Sequence, residues 1–143
     1  MRIRNSIGAI IVNNKNHFLL QRRKDQLGYF YWDILRGGIK KGEKPLDALK
    51  RELKEELNIT KVRNIMRMNM SYSFEFPEKM KKIINFDKQR VEIFFVDIGK
   101  EKIKIDRREI LEAKFFDKKQ FLEFATFKTA RTAFMKTVKK LKL

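Results

Sequence analysis

The chain has no cysteine, which excludes disulfides and thiolate metal sites and fits a cytoplasmic protein. It has one histidine, His17, at the edge of a polar turn, where it reads as a surface residue and not a ligand. No apolar run is long enough to cross a membrane. The longest candidate, Ile7 to Val12, follows two arginines but is too short for a span or a signal-peptide core. Repeats, low-complexity tracts and linkers are absent, so the 143 residues read as one domain with enough chain for a real core. Acid is scarce: 18 Asp and Glu face 35 Lys and Arg, a net charge of +17. That excess favours polyanionic partners, among which nucleotides, polyphosphates and RNA all qualify.

The chain is organised around one stretch, Gly37 to Ile59, which reads GGIKKGEKPLDALKRELKEELNI and holds five of the 18 acids. It opens on a Gly-Gly turn. Pro45 suits the first helical turn, where its missing N–H costs nothing. Asn58 suits a left-handed C-terminal cap. Leu46, Leu49, Leu53 and Leu57 recur at helical spacing and predict one buried face. Glu52 and Glu56 are then neighbours, and like charges at that spacing cost roughly 0.2–0.5 kcal/mol. Glu55 and Glu56 also sit at the negative end of the helix dipole, an unfavourable placement of about 0.3–1 kcal/mol each. A helix needing only solubility would carry lysine there. Convergence of these carboxylates on a hard divalent cation accounts for the cost, since Mg²⁺ prefers oxygen ligands and keeps waters for substrate phosphates. The plain alternative is a charged solvent face in which Arg51 and Glu55 form an ordinary helix ion pair.

The rest of the chain reads as alternating strands and helices. Ile3 to Val12 and His17 to Arg23 predict a hairpin around Asn13 to Asn16. Arg22, Arg23 and Lys24 end its second strand, a basic cluster able to meet phosphate. Trp32 to Leu35 predicts a short strand leading into Gly37 and Gly38, which let backbone approach a metal or a phosphate. Val62 to Phe76 alternates and predicts one strand or two, with its methionines as core filling. After Pro77 a lysine-rich loop is expected as far as Lys88. Val91 to Ile98 reads as a buried strand, Ile103 and Ile105 as a short one, and Ala113 to Phe116 as the last. Asp117 can cap a short helix through Phe124. A final helix from near Thr126 carries an apolar stripe of Phe127, Ala130, Phe134, Val138 and Leu141, with lysines largely away from it. The pattern predicts an α/β sandwich with a mixed sheet.

The central stretch resembles the Nudix box, Gly-x5-Glu-x7-Arg-Glu-U-x-Glu-Glu-x-Gly-U, with U a bulky aliphatic. Gly37, Glu43, Arg51, Glu52, Leu53, Glu55, Glu56 and Ile59 fall on its positions. Asn58 alone departs, at a cap glycine whose backbone Asn tolerates. The flanks are similar to the RNA 5′-pyrophosphohydrolase and asymmetric diadenosine tetraphosphate hydrolase branch. Trp32-Asp-Ile-Leu-Arg-Gly-Gly-Ile resembles its lead-in to the box, with Leu35 in place of a proline. Arg4 with Gly8, Arg23, Tyr72 to Pro77, Gln89, Glu109 and Thr126-Phe127-Lys128 follow its layout more loosely.

The resemblance implies a Nudix-type α/β/α sandwich hydrolysing a nucleoside diphosphate linked to another group. Implied substrates are dinucleoside polyphosphates or the 5′ end of RNA; nucleoside triphosphate or ADP-ribose pyrophosphatase activity, or a non-catalytic nucleotide-binding module, is the alternative. Mg²⁺ or Mn²⁺ would be held by Glu52, Glu55, Glu56, Glu109 and the backbone carbonyl of Arg36. Glu52, or else Glu56, would act as general base, and Arg51 would orient the acids. Arg4, Arg23 and Arg36 would bind phosphates beside Gly37 and Gly38, with Phe127 stacking on a base and Lys128 next to it.

Overall fold

The computed structural model describes all 143 residues. In order they form β1 (Ile3–Asn13), β2 (Phe18–Lys24), β3 (Phe30–Asp33), β4 (Leu35–Gly38), α1 (Pro45–Leu57), β5 (Asn64–Glu75), α2 (Glu78–Ile84), β6 (Lys88–Gly99), β7 (Glu112–Phe116), α3 (Lys118–Phe124) and α4 (Lys128–Leu141). Seven strands make one sheet with the main order β3-β2-β1-β6-β5, while β4 joins β1 and β7 joins β2. Only β1 and β6 pair in parallel; every other pairing is antiparallel, so the sheet is mixed.

Alternation along β1 divides the interior into two layers. Ile7, Ala9 and Ile11 face Ala48, Leu49, Leu53 and Leu57 of α1. Ile10 and Val12 face the opposite layer, where Phe121 of α3 and Phe134 of α4 pack beside Phe18 and Leu20. Helices on both faces of a mixed sheet are the sandwich expected from the alternation of patterns. At Gly8 the layer holding Phe121 and Phe134 leaves no room, since a Cβ there would lie 2.8 Å from Val91 Cγ1.

Local chemistry explains the boundaries of α1. Pro45 occupies its first turn, and Asn58 ends it in a left-handed conformation with φ 55°. There Asn58 N–H donates to Lys54 O and Ile59 N–H to Leu53 O, which satisfies carbonyls otherwise left open at a helix end. At α3 the Asp117 side chain accepts from Gln120 N–H at 2.8 Å, and the Gln120 side-chain oxygen accepts from Asp117 N–H at 3.2 Å.

Several expectations are corrected. Leu46 is 40% exposed, so the buried face of α1 starts at Ala48. The Trp32–Leu35 strand is really two strands, because the chain leaves the edge of β2 at Asp33 and pairs with β1 from Leu35 onward. The segment after Pro77 is helical and not a loop. Helix α2 buries none of its residues fully, and its apolar set of Met80, Ile83 and Ile84 spans little more than one turn, too short for periodicity to register. Ile103 and Ile105 form no strand. They pack on the α1 layer while Lys104 N–H and Asp106 N–H donate to Leu57 O and Glu56 O. Phe127 precedes α4 instead of joining its stripe. Strand β5 is continuous but bulged between Arg67 and Ser71, with Asn69 at φ 55°.

The face opposite α1 is closed by an aromatic group. Phe121 and Phe134 stack with centroids 3.9 Å apart, and Phe18 meets Phe134 edge-on at 4.8 Å. Phe134→Ala should therefore destabilise the chain by about 3–5 kcal/mol, the range for deleting a buried aromatic ring, read as a lowered urea midpoint.

Candidate functional site

The site begins where β4 meets α1. A Cβ at Gly37 would lie 2.3 Å from the carboxyl carbon of Glu52, so only glycine permits this approach of strand to helix. Glu52 itself is nearly buried. Beside it, Arg51 gathers the loop between β4 and α1. Its Nε and Nη2 donate to the two carboxylate oxygens of Glu43, each at 2.9 Å, a bidentate pair. Nη2 also donates to Gly38 O at 2.8 Å, and Nη1 to Glu52 at 2.6 Å and Glu55 at 3.4 Å. The pairing with Arg51 holds the Glu43 carboxyl down at about 2.

Glu56 is only 1% exposed, since it stands three residues after Leu53 and seven after Leu49, at the border of the buried face of α1. Its Oε1 pairs with Arg23 of β2, whose guanidinium also lies 3.6 Å from Glu109. Its Oε2 is buried with no hydrogen-bond partner. Burial pushes the Glu56 carboxyl up to about 7, with Arg23 opposing and Glu52 and Glu109 reinforcing the shift. Burial also raises Glu52, against the pull of Arg51.

The expected convergence of three carboxylates is not seen. Glu52 and Glu55 turn to Arg51, Glu56 turns to Arg23, and no three acidic or histidine side chains come close enough together to hold an ion. The donors nevertheless suit a hard cation: they are all carboxylate oxygens, and the buried Oε2 of Glu56 lacks any donor. Arg36, whose carbonyl is expected at the same ion, lies in β4 next to Gly37.

A cleft of about 550 Å³ opens beside these acids. Arg4, Arg23, Arg36, Gly37, Phe127 and Lys128 all line it, so most of the substrate residues chosen from sequence share one cavity. Gly38 backs Arg4, where a Cβ would lie 3.0 Å from the guanidinium. Phe127 is held at the cleft by the contact of Thr126 with β3, because Trp32 N–H donates to Thr126 Oγ1 at 2.9 Å and Thr126 N–H to Trp32 O at 3.0 Å.

Sequence reasoning missed four side chains here. Asp33 is buried and pairs with Arg36 at 2.7 Å. Tyr31 lies 5.4 Å from the Phe127 ring, and Phe74 lies 5.3 Å from the Arg36 guanidinium. Gln21 is fully buried with neither amide atom partnered. Opposite charges three residues apart could have announced the Asp33–Arg36 pair; nothing local announces the others.

A mixed sheet between helix layers, with a glycine turn seated on an acid-rich helix end and an arginine-lined cleft alongside, defines a class of phosphate-handling α/β proteins. Comparison with known proteins gives the family. Residues 2–137 match the model of the NUDIX domain. An RNA pyrophosphohydrolase of a Nitratiruptor species is 34% identical over 134 residues, 88% of this chain and 85% of that protein. A relative of the same name from Pelagibacter ubique is 35% identical over 82 residues, 57% of this chain, and the chain spans 51% of that protein. Among solved structures, a C. elegans Ap4A hydrolase binary complex superposes with a TM-score of 0.75 at 18% identity, covering 97% of this chain and 98% of that one. An E. coli dihydroneopterin triphosphate pyrophosphohydrolase gives 0.76 at 19% identity, covering 90% of each. The chain belongs to the Nudix family and is a Nudix hydrolase.

Both the strand–helix contact and the buried acid can be tested. Gly37→Ala should push Glu52 from its place and cut turnover at least about tenfold, the scale on which misplacing a reacting group acts, in a protein whose circular dichroism spectrum is unchanged. For Glu56 the sign is that of a carboxyl raised in the folded state. Between about pH 4.5 and 7 the native chain holds a proton that the unfolded chain has lost. Without added metal, stability should therefore fall across that window by up to about 3 kcal/mol relative to Glu56→Gln and be level on either side. Urea titrations of both proteins at pH 4, 5, 6, 7 and 8 check this.

Proposed function

We propose that the chain is a divalent-metal-dependent pyrophosphohydrolase of 5′-triphosphorylated RNA, working in the cytoplasm as one domain. The observation that carries this reading is the shared cleft. Arg4 and Arg23 line it beside the acid-bearing end of α1, and Phe127 lines its other part. Anionic phosphates and a flat base are what such a lining accommodates. The name borne by the Nitratiruptor relative supports RNA as the carrier of those phosphates.

Glu52, Glu55 and Glu56, with Glu109 and the Arg36 carbonyl, would hold Mg²⁺ or Mn²⁺. Bound there, the ion would neutralise polyphosphate charge and polarise a phosphorus for attack. Glu52 takes the proton of the attacking water, and its seat against Gly37 fixes where that proton goes. Arg51 keeps Glu52 from swinging away and offsets the mutual repulsion of the acids. Arg4 and Arg23 receive the phosphates, with Arg23 adjusting its contact with Glu56 as they arrive. Phe127, with Tyr31 beside it, stacks on a base. The charge of +17 steers polyanions to the cleft.

In Mg²⁺ the purified protein should release β- and γ-phosphates from 5′-triphosphorylated RNA, measured beside diadenosine tetraphosphate, nucleoside triphosphates and ADP-ribose at one salt concentration, because a basic protein binds any polyanion better in low salt. Glu52→Gln should lose at least about a hundredfold, the lower end for a positioned proton-transfer group. Unchanged turnover in that variant overturns the assignment of the acids, and faster cleavage of diadenosine tetraphosphate overturns RNA as substrate.

A further inference from the structure

We infer that Arg36, held by Asp33, reads the edge of a guanine base in the cleft. The inference rests on the function proposed above for the identity of the substrate, but its geometry is independent of catalysis.

Arg36 differs from the other arginines of the cleft in its surroundings. Its Nε lies 2.7 Å from the carboxylate of Asp33, a fully buried residue, and no other acid pairs with it. Its guanidinium carbon lies 5.3 Å from the centre of the Phe74 ring and 5.8 Å from that of Phe127. Tyr31 and Tyr72 line the same part of the cleft. Arg36 is therefore the polar element of an aromatic compartment, whereas Arg23 contacts Glu56.

That setting decides against a phosphate. The Asp33 carboxylate already neutralises Arg36, so an incoming phosphate would find little net charge and a fixed anion beside it. A neutral base meets no such repulsion and gains stacking on the rings. The Asp33 carboxylate lies on the Nε side of the guanidinium, 2.7 Å from Nε, which leaves the two terminal nitrogens of this cleft-lining side chain without an acid partner and available as a two-donor fork. A fork of this kind matches two acceptors side by side on one base edge, and guanine offers them as O6 and N7. Adenine presents a donor at position 6, which the fork repels. The packing of Arg36 between Asp33 and the rings fixes the fork before any ligand arrives, so little rotamer freedom is lost on binding.

The test varies the base and reads a ratio. Triphosphorylated oligonucleotides differing only at the first or the second nucleotide should be cleaved about 5- to 150-fold faster with guanine than with adenine at one of those positions, the discrimination of a single bidentate pair. Inosine, which keeps O6 and N7, should match guanine; 7-deazaguanine should fall toward adenine. Arg36→Lys keeps the charge but loses the fork, and the double variant Asp33→Asn, Arg36→Gln removes both charges without stranding a buried carboxylate. Either should bring the guanine-to-adenine ratio close to one, whatever the absolute rate. A wild-type ratio near one, or variants that slow all sequences equally and so mark a phosphate contact, overturns the inference. A second arm needs no hydrolysis: GMP, IMP and AMP compete for a fluorescent nucleotide with no metal added. GMP and IMP outcompeting AMP while no oligonucleotide is cleaved would remove the proposed function and leave the inference standing. Cleavage without base preference would do the reverse.

Discussion

A methyl group at position 37 would overlap the Glu52 carboxyl, and that steric fact organises the site. Because β4 can touch α1 only through a residue without a side chain, the strand's backbone lies directly against the helix's acidic face. The strand is in turn fixed by pairing with β1, from Ser6↔Gly38 to Ala9↔Leu35, and β1 is the strand shared by both interior layers. The contact thus inherits the rigidity of the sheet. A loop could not hold it, because a loop's backbone can shift by the few tenths of an ångström that decide whether an acid is in reach.

The charge arrangement makes sense once that contact is fixed. Three glutamates in two turns would repel one another and the dipole of their own helix. Arg51 offsets part of this from within the helix, and its bond to the Gly38 carbonyl ties the same guanidinium to the strand. Arg23 offsets another part from β2. Neither arginine satisfies Glu56 completely, since Oε2 stays buried without a donor. The end of α1 is therefore left with an unbalanced electrostatic cost that burial enlarges. A group with a carboxyl near pH 7 in such a place is more costly to the fold than any surface acid.

Much of this was legible in the sequence because it is local. The glycine pair, the proline start, the asparagine stop and the spacing of Glu52, Glu55 and Glu56 all act within one helix and the turn before it. The burial of Glu52 and Glu56 was legible only in part: their spacing from Leu49 and Leu53 puts them at the border of the buried face, but partners from β4, β2 and the segment before β7 complete it. Helix α2 escapes periodicity for another reason: it has only 7 residues, and its apolar positions Met80, Ile83 and Ile84 span little more than one turn. The spacing of Phe127 from Ala130 and Phe134 fits the stripe of α4, yet two hydrogen bonds between Thr126 and Trp32 stop the helix one residue short and leave the ring at the cleft. Long-range pairs of this kind leave no trace in a window of ten residues.

Where the sheet divides also explains why one cleft contains two kinds of surroundings. Strand β1 pairs with β2 at Val12↔Phe18, but from Ala9 to Ser6 the same edge pairs with β4. Strands β2 and β3 therefore diverge from β4, and the break falls at Asp33 and Ile34, where Ile34 N–H turns back to the Asp33 side chain at 2.8 Å. A polar residue at that break must be buried by the strands on either side, so its charge requires a partner from the first residue able to reach it. Arg36 is that residue, and accepting the pairing draws its side chain toward Phe74 and away from the acids of α1. The ionic and the aromatic parts of the cleft are thus consequences of one change of strand partner.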